Sequence, residues 1–279
     1  MVMNFEQKNN LNSLHVDVDK DYKFLISSKK TQGQFYGLVF MFFSLAFSVF
    51  VALTISIYHS VFNAIVNGVD NAFTRFMKEK PFVVYGLVLG LFVAYFIVIW
   101  FLRKFSWKSL IFSYPVVVLF FSVMISMALV VYSINPDWNR ETTSYKNPPI
   151  TVPLVLMFAP MLVLFFLGVF SYYGLFDLTK LMRVSGFLLA VFLILTVIGI
   201  FAVGPVYGTI NVAISIIGIA IISISTIYTF NRILTDSKNL AFFSKHEFIA
   251  RAAGYGIELF ISYANILWFL IRIMMKFKK

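Results

Sequence analysis

The 279-residue chain contains no cysteine, so it can form no disulfide, thiolate metal site or thiol nucleophile. It is also short of charge. Asp, Glu, Lys and Arg make up 13% of its residues against 60% for hydrophobic ones, whereas a soluble domain carries about 25% charge. So little charge cannot coat a water-soluble globule, and a mean hydropathy of +0.88 makes lipid the solvent for most of the chain. Histidine is scarce as well, and His15, His59 and His246 lie too far apart in sequence to suggest an imidazole cluster. No P-loop, nucleophile elbow, H-E-x-x-H motif or carboxylate pair occurs. An enzyme reading therefore has no residues to stand on, and no motif calls for a cofactor.

What is present is apolar sequence cut by charges, prolines and glycines into seven candidate spans. They lie at about 34–58, 81–102, 110–134, 151–174, 184–204, 207–230 and 247–274. The sequence thus reads as an all-α polytopic membrane protein, with a polar tail over 1–33 and a seven-helix transmembrane domain over 34–279. The tail has no apolar run, so no cleaved signal peptide is expected. Only Gly204-Pro205 separates the fifth and sixth spans, which predicts a very tight turn. Ser244-x-x-Glu247 reads as a capping box opening the seventh span, and Asp177 reads as the start of a helix. Pro115 and Pro160 fall inside apolar runs and predict kinks.

Several weaker patterns also carry expectations. Residues 135–149 form a polar loop. Asp17 to Asp21 imitate the start of an EF-hand calcium loop, but Tyr22 stands where glycine is required and Ser28 where glutamate is. Gly86, Gly90 and Ala94 make a small-xxx-small face, expected to pack inside the monomer. The 34 Phe are expected mostly to face lipid or to anchor at the interface, with Trp107, Trp138 and Trp268 in belt positions.

The net charge of +11 would suggest nucleic acid in a soluble chain; here position decides its meaning. With the N-terminus inside, fourteen cations fall on inner segments: Lys8, Lys20, Lys23, Lys29, Lys30, Arg103, Lys104, Lys108, Lys180, Arg183, Arg232, Lys238, Lys245 and Arg251. Five fall on outer loops: Arg75, Lys78, Lys80, Arg140 and Lys146. That asymmetry argues for a cytoplasmic N-terminus and against a nucleic-acid partner. Arg272, Lys276, Lys278 and Lys279 oppose the rule if the last span crosses fully, so the span either crosses or re-enters and returns.

Among the 12 acidic residues, Glu258 alone sits well inside an apolar span. An ionisable group at that depth is a functional hypothesis by default, with a protonated structural hydrogen-bonder as the plainer alternative. Ala250, Gly254, Glu258 and Ser262 repeat every four residues, and Asn265 lies two turns beyond Glu258. Asn211, Ser215, Gly218, Thr226 and Thr229 form a matching stripe on the sixth span. Two such stripes are expected to face each other, because polar side chains avoid lipid and small ones allow close approach.

These last residues also carry a family likeness. Asp177-Leu-Thr-Lys-Leu-Met-Arg183, then two spans, then Ile227-Tyr-Thr-Phe-Asn-Arg-Ile233, then a final helix with Asn265, Leu270 and Arg272, resemble the Bax inhibitor-1/YccA-like (transmembrane BAX inhibitor motif) family. Tyr228, Arg232 and Ile233 match one family signature; Asn265, Leu270 and Arg272 match the other. The resemblance implies seven helices with the C-terminal one surrounded by the other six, a bacterial plasma membrane location, and an ion (calcium or proton-coupled cation) leak or homeostasis role. It places an ion or proton site at Glu258, Thr229, Ser262 and Asn265, supported by Tyr228, Arg232, Asp177 and Arg251. In the family two aspartates form a pH-sensitive pair; Thr229 and Ser262 occupy those positions here, and Glu258 lies one turn before Ser262. A lone carboxylate has no partner with which to share a proton, and offers few of the six to eight oxygens that calcium takes. The alternative is a non-transporting partner of a membrane protease or quality-control complex, as some bacterial relatives are thought to be.

Overall fold

A computed structural model describes residues 29–102, 107–134, 151–201, 205–240 and 243–277. Among the described residues there are helices and no strands: α1 (Lys29–Val66), α2 (Ala72–Glu79), α3 (Pro81–Leu102), α4 (Trp107–Ile134), α5 (Thr151–Tyr172), α6 (Leu178–Phe201), α7 (Pro205–Lys238) and α8 (Lys245–Phe277). Six of them, α1 and α4 to α8, are long and apolar enough to cross a membrane, and α3 contains a shorter apolar stretch, Leu89–Val98. The architecture is that of an all-helical polytopic membrane protein. The polar loop at 135–149, the turn at Gly204, the tail before Lys29 with its EF-hand imitation, and Trp138 lie outside the described residues.

The helices overrun the apolar segments that announce them. The first begins at Lys29 rather than 34 and the sixth span continues from 230 to Lys238, because hydropathy registers where charge begins, not where backbone hydrogen bonding stops. Pro205 opens α7, a position where its missing N–H costs nothing. Asp177 caps α6, its Oδ1 accepting from the Thr179 N–H at 2.9 Å. The short α2 escapes a search for long apolar runs. Asn71 and Thr74 close a reciprocal capping box at its start, with both bonds at 2.9 Å. At α8 the Ser244 hydroxyl accepts from the Glu247 N–H at 3.2 Å, but the Glu247 carboxylate turns to Arg251 instead of closing a box.

The last helix is the hub. It packs broadly against α1, α4, α5 and α7, and is also touched by α3, through Tyr95 beside Asn265, and by α6, through the Phe192 ring 6.4 Å from Phe269; α3 rests mainly on α4 and α6 on α7. Small residues make this possible. A side chain on Gly256 would begin 2.7 Å from the Phe42 Cβ and 3.0 Å from the Phe43 backbone nitrogen, so α1 and α8 cross almost backbone to backbone. α8 is one continuous helix, which removes the re-entrant alternative. Phe248 near its start meets Phe35 near the start of α1, with ring centroids 5.4 Å apart, and Lys276 near its end reaches Gly208 at the start of α7. At 33 residues it is about 50 Å long.

Many Phe are exposed on the apolar surface, while others build the core: Phe50 meets Phe260 and Tyr263 edge-on where α1 meets α8, all three fully buried, and Tyr95 stacks on Phe120 at 4.2 Å. One expectation about surface residues is corrected. The small-xxx-small face of α3 does not pack inside the monomer. Gly86 and Gly90 are exposed, with nothing within 4 Å of where a Cβ would stand.

Candidate functional site

The polar and charged residues closing the α7–α8 seam follow helical spacing on both sides. On α7 they are Thr229, Arg232 and Asp236; on α8, Glu247, Arg251, Tyr255 and Glu258. Steps of three and four put each set on one face, so two antiparallel neighbours zip together.

The deepest part of this zipper is Glu258. Its Oε2 accepts from the Thr229 hydroxyl at 3.4 Å and its Oε1 lies 3.6 Å from Arg232 Nη1. These are long contacts. The Arg232 side chain is 52% exposed and that of Glu258 23%, so a half-exposed guanidinium covers a mostly enclosed carboxylate. Arg232 also stands over the Tyr255 ring, 5.3 Å from its centroid.

One turn further out the contacts shorten. The Tyr255 hydroxyl donates to Asp236 Oδ2 at 2.7 Å, and Arg251 Nη1 donates to the same oxygen at 2.9 Å. Arg251 Nη2 lies 2.9 Å from Glu247 Oε1, with the guanidinium 4.1 Å from the centre of the Phe243 ring. Both acids accept charge-assisted bonds from one arginine, which makes this the firm half of the zipper.

The remaining candidates divide. Ser262 is buried one turn beyond Glu258 but makes no hydrogen bond to its carboxylate among the described residues. Asn265 donates to its own helix at the Ile261 carbonyl, 2.9 Å away, beside the Tyr95 hydroxyl. Tyr228 turns to α6, its hydroxyl donating to the Leu178 carbonyl, and Asp177 caps that helix and pairs with Lys180 at 3.7 Å. These two position α6 and touch neither Glu258 nor Arg232.

The α7 stripe does face α8, but most of its hydroxyls are spent. Ser215 and Thr226 donate to the carbonyls of Asn211 and Ile222 on their own helix, at 2.7 and 2.8 Å. Gly218 receives the Phe269 ring, whose nearest carbon would lie 2.5 Å from an added Cβ. Beyond that ring, Arg272 donates to Asn211 Oδ1 at 2.6 Å. The seam is therefore polar at both ends, with an aromatic ring packed between them.

Asp236 and Tyr255 are the residues that reading by hydropathy misses. Ending the sixth span at 230 puts Asp236 in a loop, whereas the helix carries it opposite Arg251. The signal lay in charges spaced by three or four residues across the junction of two spans. Among the described residues no three His, Asp or Glu side chains gather as a metal site. One carboxylate and one hydroxyl suit a proton or a partly hydrated cation better than a dehydrated calcium ion. A scan against protein-family models finds no match to the chain, and comparisons with curated proteins and with solved structures find none either.

Proposed function

We propose that this chain is a seven-crossing membrane protein of Bax inhibitor-1-like type. Its N-terminus lies in the cytoplasm of a bacterial cell, and its α7–α8 seam passes a proton or cation through a site at Glu258. Three features support seven crossings: the 22-residue apolar α3, the six other helices long and apolar enough to cross a membrane, and the concentration of Lys and Arg on the segments assigned to the inside.

The observation that carries the ion reading is the half-exposed cover on Glu258. A carboxylate held within a membrane helix bundle is costly without a partner. Arg232 supplies one at 3.6 Å yet is half exposed itself, so it can swing off and leave the carboxylate to a proton or a cation. Thr229 offers the neighbouring neutral oxygen. Ser262 and Asn265 are the next polar groups along the same face of α8, and Arg251 with Asp236 holds the two helices together around the site.

Reconstitution distinguishes this from the partner reading. Purified protein in liposomes carrying a calcium or pH gradient is expected to dissipate it. A tight vesicle, together with a membrane protease that co-purifies only when the segment before Gln34 is present, would replace the ion role with a regulatory one.

A further inference from the structure

The structure contains a second feature that the ion reading does not use: a lateral cleft of about 780 Å³ between α1 and α5. Tyr36, Val39, Phe40 and Phe43 form one wall and the face of α5 from Met161 to Tyr172, with Tyr173 just past its end, the other; Phe230, Ile233 and Leu234 of α7 with Leu259 of α8 make the floor. Lower down the Phe47 and Phe158 rings of α1 and α5 approach to 6.4 Å; above that contact the Phe230 ring packs against Gly168, 3.1 Å from where a Cβ would stand. Phe40, Leu162, Phe165, Tyr172 and Tyr173 on the walls are exposed, so the cleft opens onto the apolar outer surface. Its volume lies in the range of ligand pockets, about 300–1,000 Å³.

The polarity of the cleft runs in one direction. Its depth is aliphatic and phenyl, and its hydroxyls belong to Tyr36, Tyr172 and Tyr173, all at the end where α1 starts, α5 stops and α7 stops. At that rim Tyr36 is hydrogen-bonded at 2.7 Å to Ser237, and Lys238 follows directly, one turn beyond the floor residue Leu234. Lys30 stands six residues before Tyr36 on α1.

The charge balance at this end favours an anion. Among the described residues each acid there already has a cation: Asp177 has Lys180, Asp236 and Glu247 have Arg251, and Glu258 has Arg232. Lys30 and Lys238 are exposed and pair with no acidic side chain among the described residues.

We propose that the cleft binds an anionic phospholipid of the leaflet at that end. One acyl tail lies between α1 and α5, and the phosphate sits at the rim by Lys238, with Lys30 at the same end of α1 adding to the positive charge. An apolar slot with hydroxyls at its mouth and positive charge beyond them repeats the order of tail, interface and headgroup in the lipid. A phospholipid is also the amphiphile present around a membrane protein at the highest concentration.

The test uses the full chain in vesicles doped with phosphatidylglycerol or phosphatidylcholine bearing the same photoreactive diazirine tail, with crosslinked residues mapped by mass spectrometry. The expected result is labelling concentrated on Phe40, Met161, Phe165 and Val169, stronger with phosphatidylglycerol. Val169→Trp should reduce it by filling the slot. K30Q/K238Q, which leaves the packing untouched, should remove the preference for the anionic lipid. Labelling no stronger in the cleft than on the outer face of α6, at Phe187, Leu193 and Val197, would reduce the cleft to ordinary surrounding lipid and overturn the proposal. An unlabelled cleft in a protein that runs as a dimer would assign it to a second copy and overturn it equally.

Discussion

The Arg251 guanidinium lies 2.9 Å from the Asp236 carboxylate and fastens the first turns of α8 to the last turn of α7. Both side chains are mostly enclosed, at 27% and 17% exposure, and the same aspartate oxygen receives the Tyr255 hydroxyl. Removing either partner strands the other charge. We expect Arg251→Ala and Asp236→Ala each to destabilise the protein by about 2 kcal/mol or more, read as a lower midpoint of thermal unfolding in detergent. The double variant should cost less than the sum of the two.

The Glu258–Arg232 contact, by comparison, is a cover and not a clamp. Arg232→Gln should lower the unfolding midpoint less than Arg251→Ala does, because the Arg232 side chain is half exposed and makes longer contacts, while opening the carboxylate to reagents. Labelling by a hydrophobic carbodiimide should accelerate at Glu258 in this variant, and should be slowed by whichever cation the site accepts. Unchanged labelling kinetics would show that Arg232 does not shield the carboxylate.

Helix approach predicts a contrast between glycines. Gly256→Ala puts a methyl 2.7 Å from Phe42 Cβ and 3.0 Å from backbone at the α1–α8 crossing, where little can yield. Overpacking of this kind costs about 1–3 kcal/mol. Gly86→Ala enters open space and should be neutral or slightly stabilising through helix propensity. Thermal midpoints of the two variants in one detergent decide the point.

Outside the spans, Asp70 holds the Lys78 ammonium at 2.8 Å next to α2. Its hydrogen bond to Lys78 keeps the carboxyl below the usual aspartate range. A depressed folded value means that the contact helps α2 above the unfolded carboxylate range and is lost as pH falls through the folded value. Amide exchange in residues 72–79 should therefore rise in acid in the wild type. In Asp70→Asn it should start high and stay flat.

The sequence made the membrane class and most helix positions legible because apolar length is a local property. Glu258 and Thr229 were legible too, since one acid in an apolar run and a polar stripe at helical spacing can be counted along the chain. What local reading could not supply was pairing. Asp236 lies beyond the apolar part of α7 and acquires meaning only once the helix runs on to meet Arg251. Phe269 looks like one more lipid-facing ring until Gly218 receives it. The face of α3 containing Gly86 and Gly90 matched a packing motif, yet spacing alone does not say whether a neighbour is there.

Proton and calcium flux from liposomes containing wild-type protein or Glu258→Gln, at matched protein density, decides whether Glu258 carries the ion. The substitution keeps the side chain's size and its access to Thr229 while removing the charge. The account predicts gradient dissipation by the wild type that falls to the protein-free background in the variant; equal dissipation by both would contradict it.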